Sequence, residues 1–226
     1  MPHIKISPSI MCCKTEEFKP YIEKFEKVHL DSIHFDVMDG HFVRNIMLGV
    51  TSYQDLKRLT KLPVDLHLMC TDPERFIDIF KVQAGDRVSF HPETTWQPYR
   101  LLQQIHELGC KAGLVINPGT SLDCVSECAD QLDYVTIMTV NPGFAGQKMV
   151  PNALEKIHKV RSLLNEAGRE DVDIVVDGNT TYENSRKMRD AGANAFVAGT
   201  SSILNDLSGF EHNYQAYKYN LEEVKE

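Results

Sequence analysis

The sequence predicts an α/β protein of the (β/α)8 class, the TIM barrel, and three observations carry that prediction. Eight short apolar or β-branched runs alternate with longer stretches of helical period. Strict alternation makes the strands parallel, because a helical crossover returns the chain to the same end of the sheet. The G-x-G-x-x-G fingerprint that would open a doubly wound sheet after its first strand is missing, which puts the barrel ahead of the open sheet. The 226 residues suit one such barrel, and no linker or compositional break divides them, so residues 1–226 are expected to form a single domain.

In order, the strands are expected at Lys5–Ile10, Ser32–Val37, Val64–Leu68, Arg87–Phe90, Ala112–Ile116, Tyr134–Thr139, Asp173–Val176 and Ala195–Ala198. Each is a run of four to six residues that ends in a polar residue, glycine or proline, or just short of one. The helices between them are read at Glu16–Val28, Ser52–Leu59, Glu74–Val82, Pro98–Leu108, Leu122–Cys128, Asn152–Ala167 and Tyr182–Ala191, with a last one near Phe210–Val224. Asp72-Pro73-Glu74 supplies an N-cap followed by proline at the first helical position. Gly85, Gly109, Gly168 and Gly192 are read as the C-terminal stops of the helices they follow.

Composition narrows the function classes. With 42% hydrophobic and 25% charged residues the chain can bury a core. Twenty-four Lys and Arg against thirty-two Asp and Glu give a net charge of −8, which repels polyanions. Lys57-Arg58 and Arg186-Lys187-Met188-Arg189 read as solvated helix faces, so no nucleic-acid partner is expected. No signal-like apolar stretch follows Met1, and no uncharged run approaches the roughly 20 residues that span a bilayer. A cytoplasmic protein without a membrane partner is expected. The six cysteines form no C-x-x-C pair and are read as reduced thiols, with Cys124 and Cys128 as small core residues on one helix face.

A barrel of this class carries its chemistry at the C-terminal ends of its strands. Those ends read Ser9, His34 with Asp36, His67, His91, Asn117, Met138, Asp177 and Gly199-Thr200-Ser201. His34 and Asp36 lie two apart and share a face, as do Asp65 and His67 on the next strand. Two His and two Asp at one end of a barrel offer nitrogen and oxygen ligands suited to a divalent Zn, Mn, Fe or Co ion. A pair of carboxylates beside such an ion also suggests proton chemistry. A Lewis acid on a carbonyl oxygen stabilises the enediolate left by proton loss at the next carbon, and an Asp on each face removes and returns that proton. Asp36 and Asp177 stand on well-separated strands, as inversion requires.

Three glycine-bearing loops point to phosphate. The sixth strand runs into Asn141-Pro142-Gly143-Phe144-Ala145-Gly146-Gln147, the seventh into Asp177-Gly178-Asn179, and the eighth into Gly199-Thr200-Ser201. Glycine permits close backbone approach, and barrels bind phosphate with the loops after their last two strands. Met38, Met69 and Met138 occur at or just beyond strand ends, where thioethers fill core gaps or exclude water from a reactive site.

Together, Ser7-Pro8-Ser9-Ile10-Met11, His34-Phe35-Asp36-Val37-Met38-Asp39-Gly40-His41-Phe42-Val43, Asp65-Leu66-His67-Leu68-Met69, the Asn141–Gln147 loop and Val176-Asp177-Gly178 resemble the ribulose-phosphate 3-epimerase family. The resemblance spans nearly the whole chain and implies an isomerase that inverts C3 of a ketose phosphate with one divalent metal ion per chain. It implies His34, Asp36, His67 and Asp177 as metal ligands, with Asp36 and Asp177 also the acid/base pair. It gives Ser9 and His67 to the sugar, and Gly143, Phe144, Ala145, Gly146, Gly178, Asn179, Gly199, Thr200 and Ser201 to the phosphate end, the loop at 143–146 closing over the substrate. It also implies a homo-oligomer.

Within the family, Lys5-Ile6-Ser7-Pro8-Ser9, Met11-Cys12, Met138-Thr139-Val140, Ala145 and Asn179 lean toward the D-allulose-6-phosphate 3-epimerase branch, with D-ribulose 5-phosphate the alternative substrate. Arg44 stands where both branches ordinarily have proline. Two other readings compete. A barrel decarboxylase would want a lysine beside the carboxylates, and the run from His34 to Asp39 contains none. A non-catalytic sugar-phosphate binder would need no opposed acid/base pair.

Overall fold

The computed structural model describes residues 3–223. Nine strands are present: β1 Lys5–Pro8, β2 Ile33–Asp39, β3 Ile46–Met47, β4 Val64–Met69, β5 Arg87–Phe90, β6 Lys111–Ile116, β7 Tyr134–Met138, β8 Asp173–Asp177 and β9 Ala195–Ala198. The helices are α1 Phe18–Lys27, α2 Val50–Leu59, α3 Pro73–Phe80, α4 Pro98–Glu107, α5 Asp123–Glu127, α6 Ala153–Glu166, α7 Tyr182–Asp190 and α8 Phe210–Glu222. Val224, the expected end of the final helix, lies outside the described residues.

Eight strands pair in parallel in the order β1-β9-β8-β7-β6-β5-β4-β2. A parallel bridge between Ser9 and His34 joins β1 to β2 and curls the sheet into a barrel. At this seam the Ser7 and Ser32 hydroxyls bond at 2.6 Å. The ninth strand, β3, is a two-residue antiparallel addition to β2. It has no periodic signature in the sequence, being too short to carry one.

Period-two alternation sorts the side chains. Ile33, Phe35 and Val37 of β2, Leu66 and Leu68 of β4, and Ile174 and Val176 of β8 join one continuous apolar shell between the sheet and its helices. The other parity faces inward and is largely polar. At the N-terminal end of the barrel Lys5 reaches Asp173 (2.6 Å), the Arg87 guanidinium lies 4.0 Å from the centre of the Tyr134 ring, and Tyr134 donates to Asp65 (3.0 Å). Gly113 makes that layer possible, since a Cβ there would fall 2.7 Å from the Tyr134 ring.

Helix ends follow the expected chemistry with one correction. Asp72 caps α3 by accepting from the Arg75 amide at 3.2 Å, with Pro73 in the first helical position. Gly109, Gly168 and Gly192 do close α4, α6 and α7, bonding back to the carbonyls of His106, Asn165 and Arg189. Gly85 does not close α3. That helix ends at Lys81, which itself takes the left-handed conformation (φ 51°) and bonds back to Ile77, while Gly85 turns the chain later and pairs with the Gly109 carbonyl. The first expected strand also stops early, because Ile10–Cys12 wind into a 3₁₀ turn after Pro8 and Ser9. No helix among the described residues is long and apolar enough to cross a membrane.

Candidate active site

The inward parity of β2 and β4 builds the centre of the site. Register pairs His34 with Asp65 and Asp36 with His67, so the H-x-D of one strand meets the D-x-H of the next in opposite order. Later residues on a parallel strand stand nearer the barrel mouth. Asp36 therefore faces the cavity while Asp65 stays below it. Asp177 enters from β8, separated from β2 by β1 and β9 on the short way round.

One atom from each of His34, Asp36, His67 and Asp177 falls in a group whose members all lie within 4.8 Å of one another. His34 Nε2 is 3.3 Å from Asp36 Oδ1 and 3.6 Å from Asp177 Oδ2, and His67 Nδ1 is 3.3 and 3.5 Å from the same two oxygens. Ligands held about 2.1 Å from a tetrahedral centre are about 3.4 Å apart, so these four edges have the length a bound transition-metal ion requires. His34 Nε2 and His67 Nδ1 are buried without a hydrogen-bond partner, an arrangement that costs free energy unless something occupies the space they face. The residues fit a divalent ion.

The electrostatics agree. Burial alone would push the His34 imidazole down, but the Asp36 charge, with the Asp177 carboxylate near Nε2 and Asp65 bonded to Nδ1, raises it well above its ordinary value. Burial would push the Asp36 carboxyl up, yet the His34 and His67 rings hold it well below the carboxylate range. A field that favours a proton on His34 also favours a cation at the centre of the group. Ser9 Oγ donates to Asp36 Oδ2 at 2.5 Å, which leaves Oδ1 for the cluster.

Above the cluster opens a cavity whose walls include Ser9, Asp36, Asp177, Met38, Met69 and Met138. The three glycine loops also line it, with Gly143, Phe144, Ala145, Gly146, Gly178, Asn179, Gly199, Thr200 and Ser201 all at its wall. His34 and His67 do not line it; both are fully buried beneath the carboxylates. Met38 and Met69 pack with Val43 into one apolar cluster, and Met138 with Val115 and Val140 into another, so thioethers flank the polar centre on two sides.

The loops are tied to one another. Asn179 adopts a left-handed conformation (φ 49°), and its Oδ1 accepts from the Met149 amide (3.3 Å) and from Asn184 Nδ2 (2.7 Å). Thr180 Oγ1 donates to the Val197 carbonyl at 2.7 Å, tying the loop after β8 to β9. Thr139 bonds the carbonyls of Asp177 and Gly178. In the loop after β7, Gln147 Nε2 spans the carbonyls of Asn141 and Phe144, Asn45 donates to the Gly143 carbonyl (2.9 Å), and the Phe144 ring is 55% exposed.

Several residues that the sequence names without assigning them a role belong to the site. Cys12 lines the cavity beside Gly199, and burial pushes its thiol up to about 11, so it is a wall and not a ready nucleophile. Asp65, and His91 at the end of β5, stand behind the two histidines. Phe42 lies over His91 with ring centres 4.6 Å apart, and Asp39 pins that turn by accepting from the amides of His41, Phe42 and Thr71. Arg44, at the position ordinarily proline, is exposed in this pinned turn.

Fold and site define a (β/α)8 enzyme with a four-residue His/Asp centre able to hold a metal ion under a glycine-lined cavity. Residues 5–203 match the model of the ribulose-phosphate 3 epimerase family. The chain is 41% identical to a ribulose-phosphate 3-epimerase of Bacillus subtilis over 198 residues, 88% of this chain and 91% of that one. It is 35% identical to ribulose-phosphate 3-epimerase 1 of Cupriavidus necator over 98% of this chain and 92% of that one. Among solved structures, KGPDC from Streptococcus mutans superposes with a TM-score of 0.71 at 10% identity, covering 98% of this chain and all of that one, a likeness of fold alone. The chain belongs to the ribulose-phosphate 3-epimerase family and is an isomerase, a carbohydrate-phosphate epimerase.

Proposed function

We propose that this protein inverts C3 of a phosphorylated ketose through an enediolate, with Asp36 and Asp177 as the acid/base pair and a divalent ion held by His34, Asp36, His67 and Asp177. The observation that carries the reading is the placement of two carboxylates on the cavity wall, from strands separated by two others, with two histidines beneath them. When bound, the ion supplies a Lewis acid that stabilises negative charge on neighbouring substrate oxygens. Its N/O donor set suits Zn²⁺, Mn²⁺, Fe²⁺ or Co²⁺. One Asp takes the C3 proton on one face, and the other delivers a proton to the opposite face, so the product differs only in configuration. Ser9 orients Asp36 by its hydrogen bond. The backbone at Gly178, Asn179 and Gly199–Ser201 holds the phosphate, the 143–146 loop covers the substrate, and the methionine walls exclude water.

For the ketose itself we infer D-allulose 6-phosphate. Its support is the set of loop residues at the phosphate end, above all Ala145 and Asn179, which differ from those of the pentulose enzymes. D-ribulose 5-phosphate is the second reading, favoured by the names of the relatives above. A comparison of kcat/KM on the two substrates with defined metal decides between them: a strong preference for the pentulose overturns our choice of substrate. Asp177→Asn is expected to lower turnover by about 10²–10⁴-fold and to stop solvent exchange of the C3 proton in the epimer whose C3–H faces Asp177. Exchange and turnover at the parent rate would remove Asp177 from the acid/base pair.

A further inference from the structure

His34 and His67 present different ring nitrogens to the cluster, and their outer nitrogens meet unlike partners. His34 Nδ1 lies 3.0 Å from Asp65 Oδ2, whereas His67 Nε2 lies 3.0 Å from His91 Nε2. All four side chains are essentially excluded from solvent, so water offers no alternative partner. Hydrogen inventory then fixes the protons. A carboxylate only accepts, so His34 carries a proton on Nδ1, and its neutral, cation-binding form turns the Nε2 lone pair inward. Between His67 and His91 one ring must donate. If His91 donated, the His67 proton would sit on Nδ1 and point at Asp36 and Asp177, leaving no lone pair for a cation.

We propose that Asp65 and His91 are positioning residues that set the metal-competent tautomers of His34 and His67, Asp65 as a fixed acceptor and His91 as an acceptor through Nε2.

Each partner is itself held. Asp65 Oδ1 takes the Tyr134 hydroxyl at 3.0 Å, and Arg87 Nε lies 3.6 Å away, so the carboxylate cannot swing from His34 without breaking both contacts. His91 is seated by the Phe42 ring over it, and no carboxylate among the described residues bonds to it. The two ligands are therefore electronically unequal. Backing by a carboxylate raises the basicity of an imidazole more than backing by a second imidazole, which makes His34 the stronger donor. A proton on His91 Nε2 would abolish the acceptor, and with it the inward lone pair of His67.

The inference rests on the metal reading above, and its test separates the two. Metal-free protein is titrated with Co²⁺ alone, following both the visible ligand-field absorption and the Kd from chelator competition. His91→Phe keeps an aromatic ring of similar size but removes the acceptor, and is expected to weaken Co²⁺ by about 10–100-fold. His91→Gln, with an amide oxygen that can accept, is expected to recover most of that loss. Asp65→Leu, which keeps the volume but removes the acceptor, should weaken Co²⁺ comparably and shift the absorption band. Thermal unfolding of the metal-free variants reports any that misfold. In the Zn²⁺-loaded parent, long-range ¹H–¹⁵N spectra of the ring nitrogens should show His91 Nε2 bare and His67 Nε2 protonated. A protonated His91 Nε2 in that spectrum, or a His91→Phe Kd within twofold of the parent, overturns the proposal. Failure of the parent to bind Co²⁺ overturns the metal reading itself.

Discussion

Replacing Gly178 by alanine should damage fold and site together, and the structure lets the two costs be separated. Gly178 follows Asp177 directly and holds φ +107°, a conformation that side chains other than hydrogen rarely adopt. An added Cβ would also meet Val140 Cγ2 at 2.5 Å and Cγ1 at 2.9 Å, inside contact distance with a stiff β-branched side chain. Backbone strain of this kind costs about 1–3 kcal/mol, and overpacking a further ~1–3 kcal/mol. The two together give about 2–6 kcal/mol, which for a chain of this size is a fall in Tm of about 4–24 °C.

Gly85→Ala serves as the control. Gly85 also has positive φ (+92°), but a Cβ there meets nothing within 4 Å, so it should show the backbone share alone, about 1–3 kcal/mol. Val140→Ala added to Gly178→Ala should return the steric share and not the backbone share. Catalysis gives an independent readout. A shift of the strained turn would move the carbonyls of Asp177 and Gly178 that Thr139 holds, so Gly178→Ala should lower kcat/KM well beyond any effect of Gly85→Ala. Thermal unfolding and steady-state assays of the three variants and the parent check this. Equal Tm for Gly178→Ala and Gly85→Ala, with no rescue by Val140→Ala, would refute the steric reasoning.

Metal binding should stabilise the fold: at free ion one hundred times Kd the gain is about 2.7 kcal/mol, and a Tm that does not change between chelated and loaded protein would count against the cluster as a metal site. Asp173 supplies a pH dependence of defined sign. Burial would raise its carboxyl, but hydrogen bonds from Lys5 and Asn194 outweigh it and hold the group below the usual range. Its folded value thus lies below the unfolded one of about 3.9, so the stability it contributes is full above that pH and is lost as pH falls through the folded value. Asp173→Asn should lower stability at neutral pH and flatten this part of the acid limb in unfolding curves from pH 7 to 2, and an unaltered limb would refute it. Asp39→Ala removes the acceptor for three amides and the Thr71 hydroxyl, and should cut hydrogen-exchange protection at Phe42 and Thr71 while raising KM; parent-like protection would show that the turn is held by other contacts.

The strands were legible because period two and the glycine and proline boundaries are local. So was the depth of each site residue: Asp36 follows His34 while Asp65 precedes His67, and in a parallel barrel that order alone puts Asp36 toward the mouth and Asp65 behind. What one strand cannot show is its register against the next. The pairing of His34 with Asp65 depends on Ile33 standing opposite Val64, which is set by packing along the whole β2–β4 seam. The same limit hid the lower layer, where Arg87, Tyr134 and Asp65 from three strands meet and where Gly113 is small because Tyr134 of the neighbouring strand occupies its side-chain space.

Loop contacts were less legible still, since Phe42 over His91 and Asn45 on the Gly143 carbonyl each join segments from different βα units. The misread stop at Gly85 has a related cause. Glycine is the cheapest residue at positive φ, but Lys81 takes that conformation and hands its amide to Ile77, so the helix ends before the glycine arrives. The chemistry at the centre therefore depends on two kinds of information. Which residues stand at the mouth is written in each strand separately. Which nitrogen of each histidine faces inward is written only in the register between strands, through the side chains that stand behind them.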